Sequence, residues 1–284
     1  MGYIEETMAE KSFLSSMGEV HYWVSPATQP KNDEIQWLVF LPGLTADHHM
    51  FDQQIAVFHQ NYHCLVWDAP AHGASRPFTL DFSVEDLVKY LHDILEREQI
   101  KRFVLIGQSF GGYIAQLYLT RYPDHAKGFI SVDSLPLERK YYAAWELLCV
   151  KHTKGMYRSI PWNLLVHWSA VGNAETEYGR GLMREMMLDY TTQEFCNLTG
   201  YGFRILAEAI EQHEKDTISC PVLLLCGEQD KAGFVKRYNK AWAKESGYPL
   251  VWIKNAGHLS NVDNPQAVNA QIEYFLKFVT ESNK

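Results

Sequence analysis

The sequence predicts an α/β fold, with a mainly parallel sheet of about eight strands, helices on both faces, and a helical insertion. Three observations carry that reading. Apolar runs of four or five residues recur without polar alternation, as strands buried on both faces require. Amphipathic helical patterns alternate with those runs. The alternation stops at Ser134 and resumes only at Pro221.

Taken in order, Phe13 to Ser16 and Val20 to Val24 flank Met17-Gly18-Glu19 and read as a hairpin. Trp37 to Leu41 is the first buried strand and ends in Pro42-Gly43. Cys64 to Trp67, Phe103 to Ile106 and Gly128 to Val132 are three more. Val84 to Glu98 places Leu87, Leu91, Ile94 and Leu95 on one helical face, with Ser83 as N-cap. Ala115 to Arg121, just after Ser109, is a second helix, with Ile114, Leu117 and Tyr118 at helical spacing. Beyond Pro221 come a strand at Val222 to Cys226, a helix at Phe234 to Ser246 and a strand at Leu250 to Ile253. The closing helix, Pro265 to Val279, turns Val268, Ile272, Phe275, Leu276 and Val279 inward.

Residues 1–134 and 216–284 therefore form the sheet domain, and 135–215 a helical cap or lid. The insertion is rich in aromatic residues and methionine, among them Tyr141, Tyr157, Trp162, Met183 and Met187. Most of these build the insertion's own core. Some, Trp145 and Trp168 foremost, are expected to line an apolar pocket over a site on the sheet.

Composition narrows the function classes. With 284 residues the chain can bury a full core, and 46% hydrophobic against 21% charged residues is ordinary for a soluble protein. A formal net charge of -8, with both signs mixed along the chain, gives no basic footprint for nucleic acid or an anionic membrane. Five cysteines, odd in number and without Cys-x-x-Cys spacing, argue against a disulfide framework or a zinc site. Acidic Glu5, Glu6 and Glu10 stand where a signal peptide needs basic and then apolar residues. No run reaches the ~18 apolar residues that span a bilayer. A reduced, cytoplasmic setting is expected, as a monomer or homodimer, with no metal and no cofactor.

The chemistry centres on Gly107-Gln108-Ser109-Phe110-Gly111-Gly112, which joins a buried strand directly to a helix. A Gly-x-Ser-x-Gly sequence in that context makes a sharp turn with an exposed serine hydroxyl, its glycines admitting close backbone. Such a hydroxyl needs a base, and the base needs an orienting acid. His258, in the loop after the last strand, faces the same sheet edge as Ser109. Asp230 follows another strand and lies between the two in chain order, with Glu228 and Asp133 as rivals. His48, His49 and His72 also follow strands and are read as rim or loop residues. Donors for a developing oxyanion are expected from the backbone N–H groups of Phe110 and Leu44.

These residues resemble the α/β-hydrolase superfamily, in particular its capped serine branch of esterases, lactonases, thioesterases and carbon–carbon bond hydrolases. The resemblance spans about Phe13 to Phe278. It rests on Pro42-Gly43-Leu44, Asp68 to Ser75, the turn at Ser109, Gly227-Glu228-Gln229-Asp230 and Gly257-His258. Pro70 and Ala71 depart from the family's usual segment after its fourth strand. Pro42 stands where relatives often carry histidine, and Gln108 where histidine or asparagine is frequent. The subfamily therefore stays open.

Serine at 109 argues against the dehalogenases and epoxide hydrolases of this fold, which use aspartate there. The first expectation is hydrolysis of a small-to-medium, largely apolar carboxylic ester, lactone or thioester through an acyl-Ser109 intermediate. Carbon–carbon cleavage of a diketone-like compound by the same residues is the alternative, as is a slow-turnover ligand receptor. Basic residues reaching the site from the insertion would favour an anionic substrate. Arg139, Lys140, Arg158, Arg180, Arg184 and Arg204 are the candidates.

Overall fold

The structure, a computed structural model, describes residues 3–30, 35–215 and 217–282. Its sheet has eight strands: β1 (Ala9–Leu14), β2 (Glu19–Ser25), β3 (Trp37–Leu41), β4 (His63–Trp67), β5 (Phe103–Gln108), β6 (Ala126–Val132), β7 (Val222–Gly227) and β8 (Leu250–Ile253). They are ordered β1-β2-β4-β3-β5-β6-β7-β8. The β1–β2 and β2–β4 pairs are antiparallel and all the others are parallel. Because the order reverses at β3 and β5, the loops leaving these two strands lie side by side at a switch point, where α/β sheets bind ligands.

Helices α1 (Tyr3–Thr7), α2 (Asp52–Phe58), α3 (Val84–Arg97) and α4 (Phe110–Arg121) accompany the first strands. Between β6 and β7 run α5 (Ala144–Lys151), α6 (Thr153–Arg158), α7 (Trp162–Asn173), α8 (Glu177–Leu188) and α9 (Thr192–Gln212). The chain closes with α10 (Val235–Ser246), α11 (Ser260–Asp263) and α12 (Pro265–Ser282).

The unbroken apolar runs have a direct explanation in the packing. On β3, Val39 and Leu41 face one core while Leu38 and Phe40 face the other. Likewise Leu105 of β5 and Leu224 of β7 point one way, and Ile106 and Leu225 the opposite way. One core takes Leu91 and Ile94 of α3 and Ile114 and Tyr118 of α4. The other takes Ile55 of α2 and Ile272 and Phe275 of α12. Burying a leucine or phenylalanine side chain is worth ~1.5–3 kcal/mol, so both faces must be covered. Ser83 caps α3 as expected, accepting from Asp86 N–H while the Asp86 carboxylate accepts from Ser83 N–H.

The hairpin and α2 depart from the sequence reading. β1 begins at Ala9 and pairs Phe13 with Val20 and Leu14 with Glu19, so the turn is Ser15 to Gly18 and Glu19 belongs to the strand. Only Phe13 in β1 is buried, and an exposed edge strand leaves no apolar run to read. Helix α2 was not anticipated, because only two of its three buried residues, Ile55 and Phe58, are apolar and the third is Gln54. The fourth helix begins at Phe110, five residues before the expected Ala115. The expected boundary at Asp216 lies outside the described residues.

Candidate active site

Parallel pairing brings the carboxyl ends of β3 and β5–β8 to one edge. Ser109 follows β5 with φ 46° and ψ −114°, a conformation costing ~1–3 kcal/mol unless its surroundings fix it. They do. Its N–H donates to Val132 O at 2.9 Å, and its carbonyl accepts from Ser134 Oγ at 2.7 Å and Gly112 N–H at 3.0 Å. A Cβ on Gly111 would come within 2.0 Å of the Leu41 carbonyl oxygen, so this turn presses against the end of β3. Only glycine fits there.

Three expected side chains form one chain of contacts. Ser109 Oγ lies 2.9 Å from His258 Nε2, and His258 Nδ1 lies 2.9 Å from Asp230 Oδ2. With Nδ1–H donating to the carboxylate, Nε2 carries the lone pair that accepts from the serine hydroxyl. Asp230 is buried, and its Oδ1 accepts from Ala232 N–H at 2.7 Å. Glu228, the nearby rival, is exposed.

Asp133, the other rival, is fully buried with φ 48°. Its two oxygens accept from Gly227 N–H at 2.7 Å and Ser260 N–H at 2.9 Å, joining the end of β7 to the segment after His258. Burial, and then the charge of Asp230, pushes the Asp133 carboxyl upward from the usual range. Burial acts to lower the His258 pKa. The charge and hydrogen bond of Asp230, with the charge of Asp133, outweigh it, and the net displacement is upward.

Two further ties were not legible in advance. Gln108 Nε2 donates to the His258 carbonyl at 2.7 Å, connecting the turn to the histidine loop. Asp263 accepts from Gly257 N–H at 2.8 Å, Glu175 and Thr176 N–H at 2.9 Å each, and Thr176 Oγ1 at 2.7 Å. It thus fastens the α7–α8 turn to the histidine loop. The sequence carried no signal for this contact, which spans 87 residues.

Above Ser109 lies a cavity of about 570 Å³. Leu44 and Phe110 line it beside Ser109 and His258. Phe110 is the first residue of α4, so its N–H has no acceptor within the helix. The roof comes from the insertion, through residues such as Leu147, Tyr157, Phe195 and Leu206. Trp145 stands at the wall. Trp168 is not among the lining residues, because α7 turns Ser169, Gly172 and Asn173 to the cavity and Trp168 outward.

None of the six basic residues suggested from the insertion lines the cavity either. Arg180 and Arg204 are instead paired with Glu177 and Glu208. Glu146 and Lys231 do line it, paired with Arg237 at 2.8 Å and Glu175 at 2.6 Å. His48 and His72 are buried elsewhere. His48 Nδ1 meets Asp68 at 3.0 Å, and His72 Nδ1 meets the Pro70 carbonyl, with burial pushing its pKa down to about 4.

Asp47, His48 and His49 form one cluster with metal-like spacing, and Asp133, Cys226 and Asp230 another. The carboxylates of the second already accept four hydrogen bonds from Gly227, Ser260, Ala232 and His258. In the first, His48 Nδ1 and His49 Nδ1 are engaged by Asp68 and Asp47. His48 Nε2, by contrast, is buried without a hydrogen-bond partner among the described residues.

A model of the Alpha/beta hydrolase family matches residues 38–271. The chain is 24% identical over 244 residues to 3-oxoadipate enol-lactonase 2 of Acinetobacter baylyi, covering 84% of this chain and 88% of that protein. Among solved structures, the Cif epoxide hydrolase of Acinetobacter nosocomialis superposes with a TM-score of 0.78 at 17% identity, covering 95% of this chain and 90% of the other. A thermophilic esterase of Thermogutta terrifontis superposes with a TM-score of 0.71 at 18% identity, covering 96% and 99%. At these identities the structural likeness speaks for the fold.

Proposed function

Because the chain belongs to the alpha/beta hydrolase family, we propose that it is a serine hydrolase. Its substrate would be a small-to-medium, largely apolar carboxylic ester, lactone or thioester, cleaved through an acyl-Ser109 intermediate. The observation that carries this reading is the pair of 2.9 Å contacts linking Ser109, His258 and Asp230 beneath a cavity whose lining charges are already paired. The likeness to a relative named as an enol-lactonase supports an ester-type bond.

In this mechanism His258 takes the Ser109 proton as Oγ attacks the carbonyl carbon. Asp230 keeps the imidazole in the right tautomer and stabilises its charged form. The N–H groups of Leu44 and Phe110 hold the oxygen that becomes negative, each donor being worth ~3 kcal/mol. The imidazolium returns its proton to the leaving group; the neutral imidazole then takes a proton from the water that attacks the acyl carbon and passes it to Ser109 Oγ as the acid leaves. Residues 135–215 act as a cap that selects the acyl or alcohol portion.

The test is a rate series on p-nitrophenyl esters of increasing acyl length, with wild type and Ser109→Ala side by side. Turnover with a chain-length optimum is expected, falling at least ~10³-fold in the variant at unchanged melting temperature. Equal hydrolysis by both proteins would overturn the mechanism. Covalent reaction of Ser109 with a phosphonate, but no ester turnover, would move the search to lactone, thioester and carbon–carbon substrates.

A further inference from the structure

His258 sits in a loop that the insertion helps to hold. Every residue from Ala256 to Ser260 is tied through its own backbone. The Ala256 carbonyl accepts from Gln229 N–H at 2.9 Å and the His258 carbonyl from Gln108 Nε2 at 2.7 Å. Ser260 N–H donates to Asp133 at 2.9 Å. These three ties come from the sheet edge. The other two lead to the α7–α8 turn. Leu259 N–H donates to the Asn173 carbonyl at 3.0 Å, and Gly257 N–H donates at 2.8 Å to Asp263, which grips the same turn. The residues on both sides of His258 are therefore anchored to the insertion.

Asp263 makes the coupling through single atoms. Its Oδ2 accepts from Gly257 N–H and also from Glu175 N–H at 2.9 Å, so one oxygen bridges loop and turn. Its Oδ1 accepts from Thr176 N–H at 2.9 Å and Thr176 Oγ1 at 2.7 Å. Thr176 is in turn the N-cap of α8, where its Oγ1 accepts from Gly179 N–H. The two segments also press together. A Cβ on Gly257 would come within 2.7 Å of the Asn173 carbonyl oxygen. Ala174 of the turn and Met186 of α8 are buried in the same core as Leu259 and Val262.

We propose that Asp263 and Thr176 are positioning residues for His258, through which the insertion sets the base as well as enclosing substrate. The inference rests on the reading of His258 as the base for Ser109. That base must keep Nε2 on Ser109 Oγ and Nδ1 on Asp230, two contacts of 2.9 Å. The ring swings from its own backbone, so the placement of residues 257–259 sets both distances at once. A misplacement of about 1 Å costs ~10²-fold in rate. Without the Asp263 carboxylate, Gly257 and the turn lose their shared acceptor, while the ties at Ala256, His258 and Ser260 still form the loop. The ring then stays near its site but loses its fixed aim. The α7–α8 turn thus works with the histidine loop, although in sequence it lies in the insertion.

The test compares wild type with Asp263→Asn, Thr176→Val and Thr176→Ser. Melting temperature, steady-state kinetics on a p-nitrophenyl ester, and nitrogen NMR of the histidine rings in the resting protein are measured, the His258 signal being assigned by its loss in His258→Ala. Wild-type His258 is expected as the Nδ1–H tautomer. Asp263→Asn should introduce the Nε2–H tautomer and lower kcat roughly 10²-fold, with KM within about threefold. Thr176→Val removes one of the four bonds and should lower kcat about fivefold, whereas Thr176→Ser keeps the hydroxyl and should restore the rate. The Thr176 pair decides the matter even where Asp263→Asn does not fold. Lower melting temperatures with unchanged kcat and unchanged ring signals overturn the inference and leave Asp263 a purely structural tie. Ring signals that respond as expected in a protein without ester turnover uphold it and overturn only the acyl-transfer reading. The Nε2–H tautomer in wild type overturns both.

Discussion

Thr45, Ala71, Ser109, Asp133 and Asn255 adopt positive φ just beyond the ends of β3, β4, β5, β6 and β8. Between Ser134 and Pro221 no described residue does so. The sheet edge is thus a set of strained turns, of which Ser109 is held by the backbone of Val132 and Gly112 and by Ser134, and Asp133 by the N–H groups of Gly227 and Ser260. The insertion is unstrained helix joined by short turns, and it leaves large apolar side chains exposed. The contrast assigns two kinds of work. Under the proposed function, the edge holds the groups that transfer protons. Under the same proposal, the insertion selects what reaches those groups. Substitutions in the first region should change rate by orders of magnitude, and in the second change substrate range by small factors.

Asp230→Asn gives the widest separation. It preserves size but removes the charge that steadies His258, and should lower kcat roughly 10²–10⁴-fold with KM little changed. A loss below about threefold would mean that Asp133 serves as the acid and would blur the distinction between the two carboxylates.

Asp133→Asn should act more gently and through pH. His258 must be neutral to accept the serine proton, so kcat/KM falls as pH drops through its pKa. Burial lowers that pKa, while Asp230 and then Asp133 raise it, with an upward balance. The acid limb should therefore lie above the ordinary imidazole value of ~6.5. Removing the Asp133 charge should shift that limb to lower pH, with about a tenfold loss of rate from the weakened tie to Ser260. A pH–rate profile of both proteins checks the direction, and an upward or absent shift would contradict the assignment.

Trp145→Ala and Trp168→Ala probe the insertion. Trp145 borders the cavity, so its loss should raise KM for long acyl esters by about threefold. Trp168 points outward, and its loss should leave KM for a soluble short ester unchanged. Equal effects on the long esters would show that the cap closes further around substrate than it does here.

The same contrast explains what could be read in advance. The strands announced themselves because burial on both faces demands unbroken apolar runs. The glycines flanking Ser109 announced the turn because a Cβ on Gly111 would strike Leu41 and one on Gly107 would strike Gly111 and Gly112. His258 and Asp230 followed because residues just beyond parallel strands share one edge. Asp263 was silent, since a carboxylate that collects backbone N–H groups from a distant turn leaves no pattern in sequence. Trp168 misled because composition gives an aromatic's presence but not which side of its helix meets the cavity. The neutralised cavity was equally hidden, because the partners of Glu146 and Lys231 lie 91 and 56 residues away.

The most direct test of the central claim is reaction of the native chain with a fluorophosphonate, followed by peptide mapping. One adduct is expected, on Ser109, formed with loss of esterase activity and blocked by His258→Ala. Labelling at another residue, or esterase activity surviving full modification of Ser109, would contradict it.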